Sequence, residues 1–492
     1  MLGDPFELRK VWRARGPWHR GHWYRGLRLD PYRDSSFSAL DDKVHDSLRS
    51  KLLPGYNGKD VDNLHGLIDE QVRGLVHLLE SKYLSTETAY KPVDLACKVQ
   101  YFTLDVISSL AFGKKLGYLE ADRDAFHYIE TTEKTVPFLM ATALMPWVLA
   151  IIHSPKLKWL MPDARNIIGI GTVMQLAQQA VQSRYGPKAE AKRDMLGSFV
   201  AHGLSEEDAQ GESVVQIIAG SDTSATAIRS TLLFIMTNPQ VYARFQAEID
   251  ERVAAGLISS PITDAEAKNF PYLQAIIREG IRMWPPATGL LPKVSNKDEI
   301  VCGERIPAGT NVAWAPWTVM RNKMVFGDDA GIFRPERWLE IDHEKWRLMD
   351  QTVMLDFGSP SRWECLGKNI AMLELNKTYV EVSSLFREGN LSAANRLIAP
   401  PTVRLHAGRP FAPLDVVQCC VLLPERHERA GHSSAASIID SSRPHFVRTS
   451  SPFLLGWMGL KRLRKVWMGP GNPTSILVLS WRSESFVLAE YP

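Results

Sequence analysis

One cysteine lies where a turn-rich loop meets a predicted helix, in the stretch from Phe357 to Ala371. The first N–H groups of a helix are unpaired and the helix dipole is positive there, and both features stabilise a thiolate. A thiolate in this position can bind a metal ion or act as a nucleophile. Cys365 is therefore the first candidate for a chemical role. The alternative is that Cys365 is only a small buried hydrophobic side chain, as most single cysteines are.

Two further patterns combine polar residues with helical spacing. Glu279 and Arg282 are three residues apart and share one face of a predicted helix, although an exposed ion pair has the same spacing. Ser221, Asp222 and Thr223 interrupt an apolar helical stretch, which is costly for a helix. Either this polar run has a function inside the helix, or Ser221 is the N-cap residue at which the helix begins.

Hydrophobic periodicity predicts the elements that position these residues. Apolar spacing of three and four residues predicts helices over about 60–80, 93–111, 165–185, 213–236, 239–255 and 265–283, and again after Cys365. Residues 287–316 alternate short apolar pieces with glycine and proline, which predicts small strands and turns. The predicted fold class is mainly α with a minor β-sheet.

Composition excludes several classes of protein. The chain has 492 residues, of which 45% are hydrophobic and 23% charged, so it is not a wholly disordered chain. Its 58 basic and 55 acidic residues give no overall charge that favours nucleic acid. Five scattered cysteines do not form the framework of a disulfide-rich secreted domain, so we expect a reducing compartment.

Both ends of the chain differ from the middle. Residues 1–33 lack an apolar core and contain Lys10 and seven arginines, so we expect a solvated basic arm or a surface that touches acidic lipid headgroups. Residues 391–452 are rich in Pro, Ser, Ala, Arg and His without periodicity, which predicts a loose tail. A small basic patch follows at Leu460–Lys465.

The longest apolar run is Val136–Ile152. It is at the short limit for a helix that spans a bilayer, and it contains Pro137 and Pro146. We therefore expect a buried or monotopic segment instead of a membrane span.

The loop around Cys365 resembles the haem-binding loop of the cytochrome P450 family. That loop begins with Phe-Gly and continues with an arginine, the ligand cysteine and a glycine two residues later, at positions that are here Phe357, Gly358, Arg362, Cys365 and Gly367. The resemblance implies that Cys365 is the axial thiolate ligand of the iron in haem b, a ligand that favours O–O cleavage. It also implies that Arg362 pairs with a haem propionate and that Gly367 lets the porphyrin approach closely.

Two positions depart from the family pattern. Pro360 stands where a glycine is usual, and proline fixes φ and has no N–H group. The arginine lies three residues before the cysteine instead of two, which resembles a variant among fungal members.

Other motifs of the family occur upstream, in the expected order. The resemblance implies that Asp222 and Thr223 form an acid–alcohol pair that delivers protons to dioxygen, with Gly220 making room for it. His45 and Arg49 are four residues apart on an early helix and share a face, although a solvated face would look the same. By resemblance they contact the haem, with Arg49 at the second propionate.

A third set of family motifs is structural. The segment Phe333–Trp338 supplies a second arginine to the Glu-x-x-Arg pair in the family. The resemblance therefore implies a buried charge network of Glu279, Arg282 and Arg337, which is costly to break. Residues Ala287–Val294 resemble the strand that lines the substrate pocket.

The resemblance covers about Asp34 to Phe386 and is closest to fungal microsomal members of the pisatin demethylase and benzoate hydroxylase type. It implies three segments: a basic N-terminal segment at 1–33, a haem domain at 34–390, and a divergent tail at 391–492 for which disorder is one interpretation. The family's N-terminal membrane helix, hinge, first strands and final strand pair are not recognisable. We therefore expect an incomplete P450-like fold, truncated at its N-terminus.

By resemblance, the chain is a haem-thiolate monooxygenase that inserts one oxygen atom from O2 into an apolar organic substrate in secondary metabolism. Electrons would come from NADPH through NADPH-cytochrome P450 reductase, docked on the cysteine side, where Lys368 and Lys377 are candidate contacts or plain solvated residues. The family sits on the endoplasmic reticulum membrane, so peripheral membrane contact is expected, but no anchor is recognisable. No nucleic-acid partner is expected.

Two alternatives stay open at this point. One is a non-catalytic or degraded P450-like protein that keeps the motifs without turnover. The other is a thiol enzyme that uses Cys365 as a nucleophile, which requires a histidine base that the sequence does not identify.

Overall fold

A long helix, Glu206–Thr237, carries the polar run and packs against six other helices of the main body. The computed structural model describes residues 1–28, 30, 33–85, 89, 91–152, 154, 170–187, 189–385, 476–481 and 484–489. Most of these residues are helical and three small sheets accompany them, which confirms the predicted fold class.

The helices and strands of the described residues are numbered here in chain order. The helices are α1 Pro5–Val11, α2 Asp42–Tyr56, α3 Leu64–Leu78, α4 Leu95–Phe112, α5 Tyr118–Ala121, α6 Tyr128–Ala143, α7 Pro146–Ile152, α8 Ile170–Gln182, α9 Met195–Ala201, α10 Glu206–Thr237, α11 Pro239–Ala254, α12 Asp264–Lys268, α13 Pro271–Met283, α14 Pro316–Val319, α15 Lys323–Phe326, α16 His343–Val353 and α17 Lys368–Ser384. The strands are β1 Trp18–Arg20, β2 Lys293–Ser295, β3 Glu299–Val301, β4 Glu304–Ile306, β5 Asn311–Val312, β6 Ile476–Trp481 and β7 Glu484–Ala489.

Helix α10 begins earlier than the periodicity predicts. Ser205 is its N-cap residue, because the serine side chain accepts a hydrogen bond from the N–H of Asp208, and three acidic residues occupy the first turn. The alternative that Ser221 caps the helix is wrong, since Ser221 is buried in the middle of α10.

Gly220 has a packing role in this helix. A Cβ atom at Gly220 would lie 2.9 Å from the side chain of Ile107 on α4, so the glycine lets the two helices approach closely. The expectation that Gly220 makes room for dioxygen stays a prediction, and the close contact that the structure shows at this glycine is with α4.

The N-terminal residues belong to the folded body. Strand β1 pairs antiparallel with β2, which pairs with β5, so the small sheet has the first strand that seemed to be missing. Leu8 and Val11 of α1 are buried, and the ring of Trp12 packs 5.3 Å from that of Trp314. The expectation of a solvated basic arm is wrong for residues 1–28, because their apolar side chains cover the core between the charges.

The apolar run 136–152 forms the end of α6 and all of α7. Its side chains Phe138, Leu144, Trp147 and Ile151 are exposed, so this part of the run is a surface and is not buried. Within the ranges given above, no helix is both long and apolar enough to cross a membrane.

Most of the predicted tail, 391–492, lies outside the described residues, and so does the basic patch at Leu460–Lys465. Strands β6 and β7 form an antiparallel hairpin in which Ile476 is opposite Ala489 and Trp481 is opposite Glu484. This hairpin was not predicted from the sequence, although apolar and β-branched residues such as those in β6 and β7 are typical of strands.

Candidate active site

The loop that holds Cys365 is closed by backbone hydrogen bonds. The N–H of Cys365 donates to the carbonyl of Phe357 at 2.7 Å, and the N–H of Ser359 donates to the carbonyl of Met354 at 3.2 Å. Gly358 has φ of +70°, a left-handed conformation that favours glycine. None of these bonds requires an N–H at Pro360, so the proline fits the loop.

Cys365 precedes the positive end of α17, and Gly367 is the N-cap residue. Burial raises the pKa of the Cys365 thiol, while the N–H of Gly367 and the guanidinium of Arg49 oppose this shift by favouring the thiolate. The residue as a whole nevertheless keeps contact with solvent. A Cβ atom at Gly367 would lie 3.9 Å from both Sγ and the ring of Tyr56, so the glycine keeps the space beside the sulfur open.

Helix α2 supports the loop through the two residues that sequence reasoning selected. Arg49 Nη1 donates to the carbonyl oxygen of Glu364 at 2.5 Å. His45 is buried, its Nδ1 lies 3.0 Å from Asp46 Oδ1, and burial together with Arg20 lowers the pKa of His45 to about 4. A buried neutral His45 and a loop-bound Arg49 show that this face of α2 packs on the cysteine loop and is not a solvated face.

Arg362 points toward the same helix. Its guanidinium forms an ion pair with Asp42 and lies 3.6 Å from Asp46. Its Nε is buried and has no hydrogen-bond partner among the described residues. The Nε–H of Arg362 therefore stays available as a hydrogen-bond donor after the two carboxylate contacts.

Two basic residues that sequence reasoning missed lie beside this loop. Arg20 of β1 and Lys293 of β2 are opposite each other in the sheet, and both are buried. Like charges opposite each other destabilise a strand pair unless an anion lies nearby. Burial, reinforced by Arg20, lowers the pKa of Lys293 well below its usual value. In the sequence, each of these two residues is only a charged residue in a short strand. That both point inward becomes visible only when the pairing of β1 with β2 is known.

Trp363 is the centre of this basic group. The Nζ of Lys293 lies 3.3 Å from the centre of the Trp363 ring, and the guanidinium carbons of Arg20 and Arg362 lie at 6.0 Å and 5.9 Å. The ring of His45 lies at 6.3 Å. The indole Nε1–H of Trp363 is buried and has no acceptor in the part of the chain that the structure describes.

The polar run of α10 divides between two faces. Thr223 and Ala219, four residues apart, are exposed although most residues around them in the middle of α10 are buried, and Thr223 Oγ1 donates to the carbonyl of Ala219 at 2.7 Å. Asp222 lies on the neighbouring face, where it accepts a hydrogen bond from Gln100. Burial raises the pKa of Asp222 to about 6, against the effect of the Gln100 hydrogen bond.

Helix α17 connects the cysteine loop to this part of α10. Helix α17 packs on α10, and burial raises the pKa of Glu374 on α17 to about 8. One turn further along α17, the hydroxyl of Tyr379 donates to the carbonyl of Ala227 at 3.0 Å.

The predicted charge network is present and buried. Arg282 binds Glu279 in a bidentate manner at 2.6 Å and 2.8 Å, and Arg337 Nε donates to Glu279 at 2.9 Å. Trp338 Nε1 adds a fourth hydrogen bond at 3.0 Å. The network therefore connects α13 to the segment after α15.

A model of the family described as "Cytochrome P450" matches residues 22–387 of this chain. The chain belongs to the cytochrome P450 family. The match begins before Asp34, the start that sequence reasoning gave, and includes the segment between β1 and α2. The domain boundaries at residues 33 and 390 stay a prediction.

Curated relatives agree with this membership. The "Cytochrome P450 monooxygenase ABA1" of Pyricularia oryzae is 41% identical over 392 residues, which are 78% of this chain and 76% of the relative. The "Cytochrome P450 monooxygenase aba1" of Botryotinia fuckeliana is 39% identical over 398 residues, 80% of this chain and 78% of the relative. The "Cytochrome P450 monooxygenase abl1" of Leptosphaeria maculans is 36% identical over 409 residues, which are 82% of this chain and 72% of the relative.

As a cytochrome P450 monooxygenase, the chain is an oxidoreductase that depends on haem iron and takes electrons from a redox partner. The thiol-enzyme alternative lacks its base, since no histidine among the described residues forms a hydrogen bond with the Cys365 sulfur.

The residues of this P450 fit a haem group. Haem b carries two negatively charged propionates, and beside the cysteine loop the four basic side chains of Arg20, Arg49, Lys293 and Arg362 face three carboxylates of the described residues, Asp42, Asp46 and Glu364. The unpartnered Nε of Arg362 and Nε1 of Trp363 add two buried donors. The residues that would hold the propionates are Arg20, His45, Arg49, Lys293, Arg362 and Trp363.

Proposed function

We propose that this P450 inserts one oxygen atom from dioxygen into an apolar organic molecule of secondary metabolism and releases the other as water. The observation that supports this is the position of Cys365 at the positive end of α17, beside a basic group that suits two propionates. Haem with a cysteine thiolate ligand supplies the redox chemistry that activates dioxygen.

The catalytic residues under this proposal are Asp222 and Thr223. The Thr223 hydroxyl donates to the carbonyl of Ala219 and keeps lone pairs free, so it can accept a hydrogen bond from a water molecule on the exposed face of α10. Asp222, with a pKa of about 6, exchanges its proton at near-neutral pH and is suited to resupply Thr223 through water. The two residues would thus move protons to the oxygen that leaves as water.

The substrate side of α10 is apolar next to Thr223. Val215 and Ala219 precede Thr223 at intervals of four residues and share its face. The segment after Pro286 is tied to the cysteine loop because the N–H of Ala287 donates to Asp356 at 3.2 Å. An apolar ring or chain compound fits this setting better than a charged one.

The experiment uses isotopically labelled dioxygen. Haem-loaded protein, a reductase and NADPH are incubated with a panel of apolar compounds, and the products are analysed by mass spectrometry. One labelled atom in the product and one in water support the proposal. Haem-loaded protein that consumes NADPH with no labelled product from any compound contradicts it and favours a non-catalytic relative.

We propose that NADPH-cytochrome P450 reductase is the electron donor and docks beside α17. A groove of about 840 Å³ lies there, lined among others by Tyr56, His65, Lys268, Gln274, Asn369 and Asn376. Lys377 does not contribute, because it is buried and paired with Asp69 at 2.6 Å. Lys268 and Lys368 both pair with a carboxylate, but the Lys268 side chain is 65% exposed and that of Lys368 only 30%, so Lys268 is the better candidate. We expect Lys268→Glu to slow reductase-driven reduction several-fold, while Lys297→Glu on the β2–β3 turn leaves the rate unchanged.

We also propose that the exposed apolar residues of α6 and α7 touch the surface of the endoplasmic reticulum membrane. Phe138 and Trp147 are 61% and 63% exposed, and tryptophan is typical of membrane interfaces. The double variant Phe138→Ser, Trp147→Ser should float less with phosphatidylcholine vesicles. Ile300→Ser, an equally exposed apolar residue on β3, serves as the control. Equal flotation of both variants would contradict the contact.

A further inference from the structure

The carboxyl group of Asp222 is held by a side chain from another helix. Gln100 is a buried residue of α4, and its Nε2 donates to Asp222 Oδ1 at 2.5 Å. One turn along α4, the hydroxyl of Thr103 donates to the carbonyl of Ser221 at 2.9 Å. Because Gly220 lets α4 and α10 approach closely, the amide of Gln100 reaches the carboxyl directly.

The other groups that face Asp222 come from α6 and from α10 itself. Arg229 on α10 attracts its negative charge and Glu133 on α6 repels it, both as longer-range effects. Tyr128 on α6 is buried and lies 3.2 Å from the Ser221 hydroxyl. Within the described residues, no basic side chain is in ion-pair distance of Asp222.

A neutral partner differs from a basic one in its effect on an acid. A guanidinium or ammonium in contact with a carboxyl lowers its pKa by about one to three units and keeps it ionised. An amide fixes the direction of the carboxyl while stabilising the charge less. An acid held in this way can change its protonation state at near-neutral pH, which a proton donor requires.

We propose that Gln100 is a positioning residue for proton delivery: its amide fixes the Asp222 carboxyl beside Thr223 and governs how readily this acid gives up its proton. The proposal rests on the proposed role of Asp222. Loss of the amide removes a hydrogen bond that favours the ionised carboxyl, so Asp222 should hold its proton more tightly. Gln100 itself transfers no proton.

The direct test is an infrared titration of the haem-loaded ferric protein in deuterated buffer. The carboxyl band that disappears in Asp222→Asn is assigned to Asp222, and its midpoint is followed with pH. We expect Gln100→Met, which keeps the length of the side chain, to raise the midpoint by about one pH unit. Gln100→Glu should raise it further because a second carboxyl repels the charge.

The matched control is Gln216→Met. Gln216 is also a buried glutamine, on α10, and its amide donates to the sulfur of Met195 at 2.9 Å, away from Asp222. The titration midpoint of Asp222 in Gln216→Met should equal that in the wild type. A wild-type midpoint in both Gln100→Met and Gln100→Glu would overturn the inference, and the two variants protect the test if one does not fold.

A second readout separates this inference from the proposed function. With reductase and NADPH, the fraction of electrons that ends in hydrogen peroxide is measured against pH. We expect the profile of Gln100→Met to shift in the same direction as its titration midpoint. If Asp222→Asn and Thr223→Ala change this fraction but the Gln100 variants leave its pH profile unmoved, only the inference on Gln100 fails. If none of the variants changes the fraction, the proposed proton delivery fails as well.

Discussion

The ammonium group of Lys293 lies 3.3 Å from the centre of the Trp363 ring, two residues before Cys365. This contact joins strand β2 to the cysteine loop and places a buried lysine where it has no carboxylate in ion-pair distance among the described residues. A buried unpaired charge is costly, and burial therefore lowers the pKa of Lys293. A haem propionate in contact with this lysine would remove the cost.

Replacement of Lys293 tests whether it holds a propionate. We expect Lys293→Met to lose haem about ten times faster than the wild type, because a charge-assisted hydrogen bond is lost. Transfer of haem to an excess of apomyoglobin measures the rate. Lys297→Met, an exposed lysine two residues beyond β2, should match the wild type. Equal rates for Lys293→Met and the wild type would exclude a contact with the propionate.

Thr223 has a matched partner on the same helix. Thr223→Ala should divert several times more electrons into hydrogen peroxide, because proton delivery to dioxygen is impaired. Thr237 makes the same bond to the carbonyl four residues earlier, at 2.7 Å, but at the end of α10. Thr237→Ala should leave the peroxide yield unchanged. A similar effect of both variants would show a structural origin and not proton delivery.

The buried network around Glu279 makes a strong stability prediction. Glu279→Gln leaves the buried guanidinium of Arg282 without its charge partner and leaves Arg337 with Asp329 alone, which should lower the free energy of unfolding by about 3–5 kcal/mol. Urea unfolding followed by circular dichroism measures the change. Glu130→Gln, which removes an exposed ion pair with Lys134, should leave the free energy of unfolding almost unchanged. A small cost at Glu279 would contradict the structural role of the network.

Glu212 gives a prediction for pH dependence. Its carboxylate accepts hydrogen bonds from Ser36, and burial raises its pKa from 4.5 to about 7. Between these pH values the folded protein holds a proton that the unfolded chain has lost, so this group stabilises the fold at low pH and loses that contribution as pH rises. The loss is at most about 3 kcal/mol.

The variant Glu212→Gln isolates this effect, because all other groups titrate alike in both proteins. The difference in free energy of unfolding between wild type and variant should fall steadily from pH 4.5 to about 7 and then level off. Urea unfolding at a series of pH values measures it. A difference that does not vary with pH would show that Glu212 titrates normally.

The sequence predicted what depends on local spacing. The helix around Asp222, the Glu279–Arg282 pair and the cysteine at the start of α17 follow from periodicity and motif. Contacts between distant segments could not be predicted: Arg20 meets Lys293 only because β1 pairs with β2. The pairing of Gln100 with Asp222 likewise depends on the approach of α4 to α10.

The burial of charged side chains also could not be predicted from the sequence. Lys377 was assigned to a solvated or docking face, yet it donates to the carbonyl of Ile262 at 2.7 Å inside the fold. A lysine at a helical position looks the same in sequence whether its ammonium reaches solvent or a buried carbonyl, because long side chains place their charge far from the backbone. The N-terminal residues were misjudged for a different reason: their many charges outweighed the apolar residues between them, of which Leu8, Val11 and Trp12 are buried in the core.

The most direct test of the account is the absorption spectrum of the reduced, carbon monoxide-treated protein after expression with haem supply. A thiolate from Cys365 predicts a strongly red-shifted Soret band in the wild type and in Cys302→Ala, and its loss in Cys365→Ala. If the wild type binds haem without this band, or if Cys365→Ala keeps it, Cys365 is not the ligand and the proposed function falls.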